Sequence, residues 1–168
     1  GLNPGQDEGW RDEERGVQGL SDCFSNLDDI HNYFKDFKKV SPKLFERFGK
    51  ENGVAHTDLV KCSSKTWPPK VCKGKRSKIV IDNCKPYLVN QITKYKPKII
   101  ICNGAPVSHQ TKEILEPTEW LSDTAYTSNI EGTSVIVILS GFIGRIDDFA
   151  KRRLGYEIEK YLEINSVQ

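Results

Sequence analysis

The side chains best suited to chemistry sit in three short runs far apart in the chain, one of which continues into a basic segment. Asn3, within Gly1-Leu2-Asn3-Pro4-Gly5, can orient a water through its carbonyl and donate through its amide, but it cannot take a proton as a carboxylate does. Asn-Pro-Gly is equally an ordinary turn tripeptide. Asp58, within Thr57-Asp58-Leu59-Val60-Lys61-Cys62, is an acceptor only when ionised. It would complement an exocyclic amine and oppose a carbonyl, or it would simply cap its loop. Ser140-Gly141, with Gly144 close behind, permits backbone amides to approach a phosphate. Lys61, Lys65, Lys70, Lys73, Lys75, Arg76 and Lys78 crowd one segment with Trp67 and two prolines. Such a run is either a solvated surface or a phosphate-neutralising one with salt-dependent affinity. Lys151, Arg152 and Arg153 pose the same choice.

These runs need elements to hold them. Leu27, Ile30, Phe34 and Phe37 recur at helical spacing, with Asn26 as an acceptable cap. A short second helix is expected from Ser41 as cap and Pro42 at its first position, with Leu44, Phe45 and Phe48 inward. Residues 54–60 read as a strand that carries Asp58 into the basic segment. Val80, Cys84, Tyr87, Leu88 and Ile92 predict a helix over 79–95. Lys98-Ile99-Ile100-Ile101-Cys102 is a β-branched run, as expected of a strand covered on both faces. Asn103-Gly104 turns into another helix. Residues 135–139 form the last core strand, with a further strand near 125–128. A final helix is expected to bury Ile146, Phe149, Ala150, Leu154, Ile158, Tyr161 and Leu162. This alternation predicts an α/β fold, a three-layer α/β/α arrangement around a central, mainly parallel sheet of about four strands. Ligands of such sheets bind beyond the carboxyl ends of the strands. Asn3, Asp58, Asn103 and Ser140 fall at or past expected strand ends, so they are expected to share one cleft.

Composition bounds the rest. At 168 residues the chain reads as a single domain over 1–168 with a real core. The hydrophobic fraction is 37% and the mean hydropathy −0.53, which fits a globular chain with a charged surface. No apolar run approaches the roughly 20 residues that cross a bilayer, so no membrane partner is expected. Cys23, Cys62, Cys72, Cys84 and Cys102 are odd in number and irregular in spacing, which favours reduced thiols and an intracellular, cytoplasmic setting over a disulfide framework. The net charge of +2 is too small to argue for nucleic acid; the clustering of the charge says more. The chain opens on the Asn3 turn with no strand ahead of it, so further residues are expected upstream.

Taken in order, the Gly1–Gly5 turn, the Thr57–Cys62 run and Cys84-Lys85-Pro86-Tyr87-Leu88-Val89-Asn90-Gln91-Ile92 followed by Lys96-Pro97-Lys98-Ile99-Ile100-Ile101 resemble the uracil-DNA glycosylase superfamily. The resemblance spans residues 1 to about 155 and is densest in the middle. It implies that Asn3 handles the attacking water, as in the Asn-type, mismatch-specific branch. It implies that Phe24, in the run after the first motif, stacks on the flipped base, although a core phenylalanine beneath the first helix is the plain alternative. Asp58 departs from the asparagine common at its position. Ser140-Gly141 matches the Ser-Gly that grips a backbone phosphate. The match then puts Ile138 where the family carries a polar residue that aids the departing base. Cys62 and Cys84 match two of the four ligands of an iron–sulfur branch; the other two would lie ahead of Gly1, so no cofactor is required and a [4Fe-4S] cluster is the only one suggested.

The function these features imply is base excision: a hydrolase, a DNA N-glycosylase that flips a damaged or mismatched base from DNA into its cleft and acts as a monomer. Asn3 would position water, Phe24 and Asp58 would hold the base, and Ser140, Gly141, Lys61, Lys73, Lys75 and Arg76 would hold phosphates. The alternative is a catalytically degenerate nucleic-acid-binding module of the same fold. A flavodoxin-like ligand binder is a third reading. It leaves the basic run unexplained, and no Walker or dinucleotide glycine motif supports it.

Overall fold

The computed structural model describes residues 32–61 and 75–164, and Asn3, Phe24, Cys62 and Lys73 lie outside that range. Helix α1 (Asn32–Val40) buries Phe37 and Val40 and ends on Lys38 and Lys39, where positive charge suits the negative end of the helix dipole. Ser41 then caps α2 (Pro42–Phe45): its backbone is extended, its Oγ accepts from the Leu44 N–H at 3.3 Å, and Pro42 occupies the first turn. Helix α3 (Lys75–Tyr95) starts four residues earlier than the apolar periodicity suggests. It buries Ile81, Cys84, Leu88 and Ile92, while Tyr87 points to solvent.

Strand β1 (Ile99–Ile101) leads into α4 (Ala105–Ile114). Then come β2 (Glu119–Trp120), β3 (Ala125–Ile130), β4 (Thr133–Ile138) and α5 (Asp148–Ile164). The sheet has four strands in the order β1-β4-β3-β2. Only β1 and β4 are parallel; β4 pairs β3, and β3 pairs β2, in antiparallel register. The expected mainly parallel sheet is therefore a mixed one. The cause is local: Glu131 and Gly132 both take positive φ (48° and 81°), the two-residue turn whose twist matches a tight hairpin. Asn129 Oδ1 accepts from the Gly132 N–H at 3.0 Å and closes that turn. With so short a loop, β3 and β4 can only run antiparallel.

Side-chain alternation along the strands divides the interior into two clusters. Ile99, Ile101, Ala125, Ile136 and Ile138 meet Phe37, Val40, Phe45, Leu154 and Ile158 from α1, α2 and α5, and Phe48 from the turn after α2. Ile100, Tyr126, Val135 and Val137 meet Ile81, Leu88, Ile92 and Val107 from α3 and α4. Helices thus cover both faces. On the first face α1 lies very close to α5, because a Cβ at Gly155 would collide with the Val40 carbonyl.

Two expectations fail for identifiable reasons. Residues 54–60 form no strand; Val54 makes a single bridge to Phe48 and the backbone then runs on without a ladder. Its apolar residues stand at the two ends of the segment with Ala55-His56-Thr57-Asp58 between, so there is no alternating face to bury. Phe149 is 74% exposed rather than buried. It lies on the side of α5 opposite Leu154 and Ile158, and an apolar type at the right distance in sequence is not enough without the right angle around the axis. Among the described residues no helix is long and apolar enough to cross a membrane.

Candidate functional site

Asp58 sits in the irregular stretch from Val54 to Lys61, and the apolar residues that follow it fix its place. Leu59 and Val60 are buried in the α3–α4 cluster, which anchors the backbone and turns Asp58 toward α1. Its side chain is only 11% exposed, with Oδ1 3.7 Å from His56 Nε2. Burial pushes its carboxyl pKa up, the neighbouring imidazole pulls it down, and the net shift is downward. The carboxylate is therefore ionised at neutral pH and offers acceptors only.

His56 is held by rings. Tyr33 lies 5.1 Å from it and Phe34 5.5 Å, both at steep angles, and Phe34 packs edge-on to Phe48. Burial, reinforced by the charge of Asp58, pushes the Tyr33 phenol up to about 12, so it stays a neutral donor at any working pH. Sequence reasoning missed His56 and Tyr33. The available signal was His56 two residues before Asp58 in a stretch too polar to be a strand.

Lys61 pins the same loop. Its Nζ donates to Thr57 Oγ1 at 2.6 Å, to the Asp58 carbonyl and to Gln91 Oε1 at 3.1 Å, and Thr57 Oγ1 donates to Gln91 at 2.9 Å. An ammonium has three protons, so these acceptors saturate it. Burial lowers the Lys61 pKa against the opposing charges of Asp58 and Cys84. The Lys61 N–H also donates to Cys84 Sγ at 3.4 Å, which joins the loop to α3. Lys61 thus braces Asp58, and its reach toward a phosphate is spent inside the protein.

The Ser140-Gly141 segment is built differently. Asn103 and Ser140 follow β1 and β4, which are parallel, so both stand at the carboxyl edge of that pair. The Ser140 N–H donates to Ser108 Oγ at 3.2 Å, and the Ser140 carbonyl accepts from Ser108 Oγ at 3.0 Å and from the Gly104 N–H at 3.2 Å. Asn103 Oδ1 accepts from the buried Ile143 N–H at 2.9 Å. Ser140 Oγ donates only to the Gly141 carbonyl, 2.7 Å away at the surface. Ile138, by contrast, is wholly buried as the last residue of β4.

None of Ser140's bonds goes to Asp58. What lies between the two segments is Tyr33. It lines an open groove of about 470 Å³ together with Asn32, Lys35, Asp36, Lys39, Phe142 and Gly144, and neither Asp58 nor Ser140 is itself among the lining residues. One wall of the groove is therefore α1, backed by His56 and Asp58, and the other is the loop that begins at Ser140. Lys75 and Arg76 stand in the first turn of α3, a turn with no acidic residue and a helix end whose dipole favours anions.

Of the two cysteines matched to cluster ligands, Cys84 is a buried free thiol and Cys62 lies outside the described residues. Among the described residues no three His, Cys, Asp or Glu side chains come together to hold a metal ion. One cysteine of the four a cluster needs gives no basis for routing chemistry through one. The chain matches no family model, and no curated protein is significantly similar to it in sequence.

Proposed function

We propose that this chain is a DNA glycosylase-like domain that hydrolyses the N-glycosidic bond of a base flipped out of DNA. The observation that carries the reading is a groove with the Tyr33 ring on one wall, held from behind by His56 and the ionised Asp58, and the loop that begins at Ser140 on the other. A base in that groove would meet an aromatic wall on one side and backbone amides on the other, with the Asp58 acceptor beyond the Tyr33 ring. In hydrolysis the bond from C1′ to the base nitrogen breaks, and water adds to C1′. The base leaves with the electron pair and takes up a proton from the water. Asn3 would place that water, since a cationic sugar needs positioning and electrostatics more than a strong base. Phe24 would stack on the base, and Asp58 would accept from its exocyclic amine. Gly141 would approach a phosphate closely, with Lys73, Lys75 and Arg76 along the strand. Lys61 would act by bracing Asp58.

One observation favours a second reading, a nucleic-acid-binding module that has lost the chemistry. Ile138 occupies the place expected of a polar group that helps the base depart, and it faces the core. The two readings separate in single-turnover excision from oligonucleotides that carry uracil, cytosine or hypoxanthine. An acceptor-only side chain opposes a uracil carbonyl, a loss of roughly 1.5–4 kcal/mol or more than tenfold in rate. The wild type is expected to cut uracil poorly, and Asp58→Asn to improve it relative to the amine-bearing base. Tight binding without cleavage of any base by either protein selects the second reading. Robust uracil cleavage by the wild type that falls in Asp58→Asn removes Asp58 from the base edge.

A further inference from the structure

Helix α5 has two faces, and among the described residues only one is packed. Leu154, Ile158 and Tyr161 are buried against α1 and the sheet, and Lys151 is drawn in beside them to meet Asp36 at 2.8 Å. The opposite face shows Phe149 at 74% and Tyr156 at 72% exposure, among the most exposed large side chains of the described residues. Arg152 lies between them with its guanidinium 4.9 Å from the Phe149 ring centroid, and Arg153 is exposed on the same side. At 1.5 Å rise per residue and 100° per step, positions 149, 152, 153 and 156 form one stripe, with its rings about 10 Å apart along the axis. Glu159 and Glu163 follow only in the last turns, so the stripe over the first three turns is cationic and aromatic.

We propose that this stripe is a second nucleic-acid contact, a stacking platform for an unpaired strand. The partner follows from charge and shape together. Arginines at an open surface call for a polyanion, and two exposed rings flanking a guanidinium call for flat faces to stack on. A single strand supplies both at once, whereas a duplex hides its base faces and a carboxylate-rich peptide has no planes to offer. Nothing on this face reads a base edge, so the contact is independent of sequence. The platform shares no lining residue with the groove and does not depend on base excision.

Fluorescence anisotropy with an unmodified, labelled oligothymidine of about 15 residues tests it, alongside a duplex of the same length. Phe149→Ala combined with Tyr156→Ala is expected to weaken single-strand binding about tenfold or more and duplex binding little. Both residues are exposed, so circular dichroism should show an unchanged fold. Phe149→Trp should retain binding. Arg152→Gln with Arg153→Gln should reduce the salt slope by about 1.4, the value for two phosphates on a single strand. Single-strand affinity unchanged by the double alanine variant overturns the proposal, whatever the excision assay gives. So does loss of binding to phosphatidylserine vesicles with no loss on DNA, which would assign the stripe to a lipid surface.

Discussion

The Asp58 stretch that backs the α1 wall of the groove and the loop that forms the opposite wall are held by opposite means. On the Asp58 side, charged and polar side chains, half-buried or exposed, satisfy one another: His56 beside Asp58, and Lys61 on Thr57, Asp58 and Gln91. On the Ser140 side the backbone is clamped by Ser108 and Asn103 while the side chain of Ser140 faces outward. The first wall therefore has its chemistry and its structure in the same residues. The second keeps them apart, with structural bonds below and free surface above. A substitution on the first wall should change fold and function together; on the second the two should separate.

Lys61 gives the largest expected effect. Lys61→Met keeps the apolar stem and removes the three donors, which strands the Asp58 carbonyl and leaves the Gln91 amide oxygen with the Thr57 hydroxyl alone. Losing these bonds costs about 2 kcal/mol after the relief of a half-buried charge. Urea denaturation should show a lower midpoint with an unchanged slope. The Ser140 wall, which shares no bond with Lys61, should keep its amide exchange protection. A midpoint within error of the wild type would mean that the loop is held by Leu59 and Val60 alone.

The difference between the walls also explains what was legible in the sequence. Ser41-Pro42 as a capped helix start and the Ile99–Ile101 run as a strand covered on both faces are local signals, and both appear as expected, the three isoleucines being half-buried. The sheet's mixed character hung on Gly132 and Asn129, a turn signal masked by the β-branched run after it. Asp58 was legible by its type, but its surroundings were not, because Tyr33 beside it and Gln91, which holds Lys61 and Thr57, come from helices 25 and 33 positions away in sequence. Phe149 was misjudged because residue type was weighed without its angle around α5, while Lys151 took the buried place through Asp36. A buried ion pair between two helices leaves no mark in either sequence alone.

The Ser140 wall should show a smaller effect from its own clamp. Asn103→Ala removes the acceptor of the buried Ile143 N–H. An orphaned buried donor costs on the order of 1.5 kcal/mol. Ser140→Ala, which loses only a surface bond, should cost close to nothing. Thermal unfolding of the two variants side by side measures the separation of structure from surface on this wall. Equal losses would mean that the Ser140 hydroxyl is structural after all, and the contrast between the walls would disappear.

The smallest expected effect is one of pH, and it belongs to the Asp58 wall. The folded state lowers the Asp58 pKa below the ordinary carboxylate value of about 3.9. A lowered acid pKa means that folding favours the ionised form. The stabilisation is therefore complete above the unfolded pKa and is lost as pH falls through the folded one. Asp58→Asn removes this component, so the gap between wild type and variant should be constant near neutrality and close in acid. A pair of this kind contributes about 1 kcal/mol or less, so the gap is read best as a difference of urea midpoints at matched pH. Lys61→Met offers the control. Its gap from the wild type should persist in acid, since its broken bonds run mainly to a carbonyl, a hydroxyl and an amide, none of which titrates there. If the Asp58→Asn gap were the same at both ends of the range, the carboxylate would contribute nothing as a charge to its wall. Its role would then be that of a shape, and an asparagine would serve the groove equally well.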